Sequence, residues 1–125
     1  MKTKKTILIV EDDAPLRNAL RDKLICEGFT TLEAKNGAEG LEVALAEHPD
    51  LILLDIVMPV MDGITMLKKL RKDEWGKNAR IIMLTNLSDT EKMTEAIEQG
   101  SYDYLVKSDW KIEDIIAKVK EKIDQ

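Results

Sequence analysis

Short strand-like runs, most of them aliphatic, recur through this chain at 7–10, 30–34, 51–54, 81–84 and 104–106, each separated from the next by an amphipathic or loop stretch. The helical patterns between them run to about a dozen residues, near the mean helix length. Such alternation restricts the chain to an α/β architecture, because each strand must find its next neighbour by crossing over through a helix. At 125 residues there is material for one domain with a substantial core, so 1–125 reads as a single domain.

Helix boundaries are written in the residues that can satisfy free backbone groups. Asp13 can cap a first helix with Pro15 early in its first turn and Leu16, Leu20 and Leu24 on one face. Gly28 ends it where a left-handed residue is wanted. Asn36 can cap the second helix, with Leu41 and Leu45 facing in, and Asp62 the third, with Ile64, Leu67 and Leu70. A fourth pattern opens at Ser88 or Asp89 and closes at Gly100. The fifth opens at Asp109 and carries Ile112, Ile115, Ile116, Val119 and Ile123.

Strand composition suggests strand order. The first, third and fourth runs are continuously aliphatic, as expected where helices cover both faces and strands cover both edges. The second contains Thr30, Thr31 and Glu33, and the fifth is short with Asp103 before it, so these two read as edges. Right-handed crossovers then favour a doubly wound five-stranded parallel sheet in the order 2-1-3-4-5, with helices on both faces. In that sheet a crevice opens beyond the C-terminal ends of strands 1 and 3, where the winding reverses.

Several functions are disfavoured. A net charge of −5 argues against nucleic acid as a direct ligand, since phosphate backbones reward surplus Lys and Arg. No apolar run approaches the roughly 20 residues needed to span a bilayer. The Lys-rich start meets only 7–10 before three acids, which is not a signal peptide, so a cytoplasmic protein without membrane partners is expected. Cys26 cannot form an internal disulfide and reads as a small buried side chain; His48, beside Pro49, reads as a capping or surface residue.

The predicted crevice collects acids. Glu11, Asp12 and Asp13 follow the first run, and Asp55 follows the third. Packed carboxylates are costly unless a proton or cation relieves them, and magnesium commonly takes one or two carboxylates plus phosphate. Helix capping is the better account of Asp13, but it explains Asp55 poorly, because the next helix has its own cap in Asp62. Thr85 and Lys107 occupy corresponding positions after the fourth and fifth runs. An oxygen nucleophile, a cation site, a hydroxyl and an ammonium are the parts phosphoryl transfer needs.

The segments 7–13, 50–59 with Asp62-Gly63, Leu84-Thr85 and 103–107 resemble the receiver domains of bacterial two-component response regulators. The resemblance covers essentially the whole chain and is of the single-domain chemotaxis-regulator kind. It implies a flavodoxin-like fold and a phosphoacceptor switch in a phosphorelay rather than an enzyme, with only self-catalysed phosphotransfer and slow loss of phosphate. By this likeness Asp55 is the phosphoacceptor, served by a sensor histidine kinase. Magnesium would be held by Asp55, the acidic pair Glu11 and Asp12, and the backbone carbonyl of Val57, with Asp12 a direct ligand and Glu11 acting through water. Lys107 would pair with the phosphoryl group, Thr85 would hydrogen-bond it, and Tyr104 would move with Thr85, reshaping the face of helix 4, strand 5 and helix 5. Three departures stand out. Ser108 replaces the usual Pro after the Lys, Asn86 the usual small residue after the Thr, and Val57 and Leu87 the polar groups that often guide water.

Rival classes fare worse. A flavin or dinucleotide site needs a neutral, Gly-rich phosphate loop after the first strand, where this chain has three acids. An aspartyl-nucleophile phosphatase usually carries its nucleophile after strand 1 and adds a cap domain. A docking module not regulated by phosphorylation is the main alternative, against which Asp55, Thr85 and Lys107 all speak.

Overall fold

Each of the five runs forms a strand, and one residue is added to four of them. In the computed structural model, which describes residues 4–85, 98, 103–106 and 111–124, β1 is Thr6–Val10, β2 Thr30–Ala34, β3 Leu51–Asp55, β4 Ile81–Thr85 and β5 Asp103–Val106. They form one sheet in the order β2-β1-β3-β4-β5, every neighbour parallel. The edge strands are the two with polar character, as expected, because an edge needs no aliphatic cover on its outer side.

Successive strand residues point to opposite faces, and here both faces are apolar. Leu8, Val10, Ile52, Leu54, Ile81 and Met83 pack beneath α2 (Gly37–Glu47) and α3 (Gly63–Arg71). Ile7, Ile9, Leu51, Leu53, Ile82 and Leu84 pack beneath α1 (Ala14–Cys26) and the C-terminal helix Ile112–Ile123. Two cores on one sheet explain why β1, β3 and β4 read as unbroken aliphatic runs. The architecture is a flavodoxin-like α/β sandwich.

Two predicted caps are made as expected. The Asn36 side chain accepts from the Glu39 N–H at 2.9 Å and the Asp62 side chain from the Thr65 N–H at 2.8 Å. Asp13 does sit at the N-cap of α1, but its side chain makes no capping bond. The last helix starts later than expected: Lys111 is its N-cap, and the Lys111 N–H donates to Asp114 at 3.1 Å. Asp109, Ser88, Asp89 and Gly100 lie outside the described residues; Glu98, within the expected fourth helix, is helical.

Two side-chain expectations are corrected. Cys26 is exposed, because α1 turns its last residues outward before Gly28, at φ +92°, reverses the chain. Leu45 is also exposed, at 38%. The buried stripe of α2 is built instead from Gly37, Gly40 and Ala44, with Leu41 and Val43 at its flank. A Cβ on Gly40 would come within 2.9 Å of both Met66 and Val10, so the close approach of α2 selects the small face and leaves Leu45 outside. Between α3 and β4 lies a 3-10 turn, Gly76–Asn78, that no periodic pattern announced. His48, at the α2 C-cap, adopts a left-handed backbone (φ 48°) and stacks on Trp75 at 4.4 Å.

Candidate metal and phosphoacceptor site

The register of the sheet places the acids. Val10 of β1 is the in-register partner of Leu54 in β3, so the next residues, Glu11 and Asp55, continue side by side. Neighbouring strands lie about 4.8 Å apart, which is the reach of two carboxylates toward a common point. Glu11, Asp12 and Asp55 each bring one carboxylate oxygen to within 4.8 Å of the others. Glu11 is fully buried and Asp55 only 3% exposed, while Asp12 is exposed and closes the group from the solvent side. Asp13, assigned above to a cap rather than to the group, is absent from it.

Local backbone contacts hold both arms of this site. The Glu11 N–H donates to the Ala34 carbonyl at 3.1 Å, extending the β1–β2 pairing by one residue, and the Asp13 N–H donates to Glu11 Oε2 at 3.2 Å. On the other arm the Ile56 N–H reaches the Leu84 carbonyl at 3.3 Å, and the Gly63 N–H the Ile56 carbonyl at 2.8 Å. Gly63 is required here, since any Cβ would collide with the Asp55 carbonyl as α3 begins. The intervening loop buries Ile56 and Met58 but exposes Val57 (49%) and Val60 (84%), and Val60 carries a left-handed φ of 68°.

Of the remaining predicted residues, Thr85 falls at the same sheet edge. Asp55 pairs in register with Leu84, so the backbone of Thr85, the last residue of β4, follows directly beside it. Thr85 pairs in register with Val106 and Met83 with Tyr104. Lys107, Ser108, Asn86 and Leu87 lie outside the described residues.

One contributor went unnoticed in the sequence. Arg17 Nη1 donates to the backbone carbonyl of Glu11 at 2.8 Å, and its Nε pairs with Glu33 at 3.4 Å. Arg21 meets the same carboxylate at 3.6 Å, and its guanidinium is held above its ordinary value, first by the hydrogen bond to Asp22. The available signal was the four-residue spacing of Arg17 and Arg21 on the helix that precedes Glu33, the acid of edge strand β2.

The donor set suits a hard divalent cation: three carboxylate oxygens from two strand ends, two of them on buried side chains, converge with no thiol or imidazole among them. Among the described residues no helix is long and apolar enough to cross a membrane.

A doubly wound parallel sheet with its acids at the switch point defines the class of signalling domains that carry an acidic pocket. The particular family is plain from sequence: a family model described as response regulator receiver domain matches residues 7–120, and the chain belongs to that family. It is 41% identical to the chemotaxis protein CheY of Bacillus subtilis over 102 residues, 81% of this chain and 83% of that one. Among solved structures, the CheY-like receiver domain protein of Methanospirillum hungatei superimposes with a TM-score of 0.89 at 31% identity, covering 98% of this chain and 95% of that one. The receiver domain of a Pseudomonas aeruginosa sensor histidine kinase, with magnesium coordinated in its active-site cleft, gives a TM-score of 0.88 at 25% identity, covering 98% and 100%. The chain spans about half the length of the first curated relatives it matches, which are named as transcriptional regulators. It is thus a response regulator receiver domain of two-component signalling, a family of phosphoacceptor switches rather than of classical enzymes.

Proposed function

We propose that residues 1–125 act as a single phosphorylation-controlled switch in the cytoplasm, with Asp55 accepting a phosphoryl group from a sensor histidine kinase. The observation that carries this reading is the convergence of Glu11, Asp12 and Asp55 to within 4.8 Å at the end of β1 and β3. In the transfer, an Asp55 oxygen forms the new bond to phosphorus as the donor's phosphorus–nitrogen bond breaks, and the electron pair leaves with the imidazole. Burial of Asp55 keeps competing water from the nucleophile and fixes its direction of attack. Glu11, Asp12, Asp55 and the Val57 carbonyl would hold magnesium, which when bound supplies positive charge to the phosphoryl oxygens. Lys107 adds an ammonium to the same oxygens and Thr85 a hydroxyl.

The product acyl phosphate brings about −1.5 to −2 charges and several acceptor oxygens. Thr85 and Lys107 are drawn toward it, Tyr104 follows into the space vacated, and the face of the fourth helix, β5 and the C-terminal helix changes shape. A downstream protein that prefers one shape reads the signal; no direct contact with nucleic acid is needed. Crowding by Val57 and Leu87, which offer no hydrogen bond to an in-line water, favours a long-lived phosphorylated state.

The test is intact-mass measurement after incubation with a small phosphodonor and magnesium. The parent gains one phosphoryl mass and Asp55→Asn gains none; equal labelling of the two would remove Asp55 from its role. Absence of labelling in both, with kinase and with small donors, would favour a docking module that works without phosphorylation.

A further inference from the structure

The acidic site has a cation behind it that neither helix packing nor the donor set accounts for. Arg17 lies in the first turn of α1, with its side chain only 12% exposed, and its guanidinium divides between two segments. Nη1 holds the backbone carbonyl of Glu11, and Nε faces Glu33 on edge strand β2, whose other oxygen meets Arg21. Glu33 is the in-register partner of Ile9, two residues before Glu11 on β1. The first acid of the site is therefore fixed from three directions: by Ala34 at its N–H, by Arg17 at its carbonyl and by the Asp13 N–H at its carboxylate.

We propose that Arg17, oriented by Glu33, is a positioning residue for the acidic site: it sets the Glu11–Asp13 turn and offsets the mutual repulsion of Glu11, Asp12 and Asp55. Three converging carboxylates push the turn open, and opening it would separate Asp12 from Asp55. A guanidinium bonded to the Glu11 carbonyl opposes that motion mechanically and supplies positive charge beside the group. The planar fork matters, since two partners on different sides are met by two different nitrogens; a lysine ammonium on a single stem cannot reproduce both contacts. Glu33 enters the same chain of contacts although it lies on β2, outside the site. A merely structural Arg17 would tie α1 to β2 and leave the acidic turn indifferent to its loss.

The inference rests on the cation-binding reading above for one of its two measurements only. Arg17→Met, Arg17→Lys and Glu33→Gln are compared with the parent chain by amide hydrogen exchange at Asp12 and Asp13 without metal, and by titration with magnesium alone, followed through the same amide resonances. Arg17→Met speeds exchange of the Asp13 amide and weakens magnesium binding by about tenfold, the scale on which groups behind metal ligands act. Arg17→Lys recovers only part of either, and Glu33→Gln, which leaves the Glu11 carbonyl bond in place, moves both in the same direction by about threefold. Parent-like exchange and affinity in Arg17→Met, whatever its melting temperature, would overturn the proposal. Should Arg17→Met not fold, parent-like values in both Arg17→Lys and Glu33→Gln overturn it equally. If the parent itself binds no magnesium, the cation reading fails, and the exchange measurement alone decides the role of Arg17.

Discussion

The two ends of the sheet treat charge in opposite ways. At the C-terminal end, Glu11, Asp12 and Asp55 converge, and two of the three are withdrawn from water. At the N-terminal end of β4, a cavity of about 340 Å³ is lined by the cations Arg71, Lys77, Arg80 and Lys122. Those cations are employed locally. Arg71 donates to the carbonyls of Gly76 at 2.7 Å and Ala79 at 2.9 Å, holding the 3-10 turn closed, and Arg80 donates to the Ile123 carbonyl at 2.9 Å. Arg71 and Lys122 also stand in the last turns of their helices, where positive charge meets the exposed carbonyl ends. Basic groups matched to carbonyls stabilise the fold; acidic groups matched to one another destabilise it until something positive arrives. The difference separates a structural end from a responsive end without any appeal to sequence identity.

Substitutions at the two ends should therefore fail differently, and the largest contrast is in cation binding. Asp12→Asn weakens magnesium binding by about tenfold or more while raising the melting temperature of the metal-free protein. The rise is expected at about 2–4 °C, the shift that roughly 0.5–1 kcal/mol of relieved repulsion produces in a domain of this size. Titration and thermal melts on the same preparation check both signs; unchanged affinity would take Asp12 out of the site. Next comes the opposite end. Arg71→Ala strips donors from two part-buried carbonyls and costs about 1–3 kcal/mol of stability, yet phosphoryl uptake in folded protein stays at the parent level. Denaturant unfolding paired with a labelling assay would show it, and a loss of uptake at constant fold would break the division between the ends.

The smallest expected effect lies between them, in the loop that follows Asp55. Val60 holds a left-handed backbone with its side chain 84% exposed, so the β-branched group meets steric cost without compensating burial. Val60→Gly relieves that strain but gives the unfolded chain more freedom, for a net gain of about 1 kcal/mol or less. A shift of the unfolding midpoint to higher denaturant, with cation affinity unchanged, is the predicted result; a fall would mean that the Val60 side chain supports the loop.

How much of this was readable beforehand depends on whether period or proximity carried the information. The three continuously aliphatic strands, the strand order and the two polar edges were legible because burial on two faces writes itself as continuous apolar residues and an edge position as polar ones. The pairing of Glu11 with Asp55 was legible for the same reason: parallel register makes equivalent strand ends neighbours. Asn36 and Asp62 were legible as caps because their bonds are local, three residues away. Cys26 and Leu45 misled, since an apolar residue near a helix end can face outward once a closer-packing stripe has taken the core.

Amino-acid order alone determined the layer architecture, the switch-point location and the chemical kind of the site, all of which follow from local periodicity and from the rule that parallel strands align their ends. Tertiary structure decided the rest. Seating α2 on Gly40 and Ala44 depends on what α3 and β1 present to it. Stacking of His48 on Trp75 joins the end of α2 to the turn that leads into the 3-10 segment. Binding of the Glu11 carbonyl by Arg17 depends on how α1 lies against the edge of β2. Such contacts join residues whose separation along the chain has no period, so only the packed molecule could choose them.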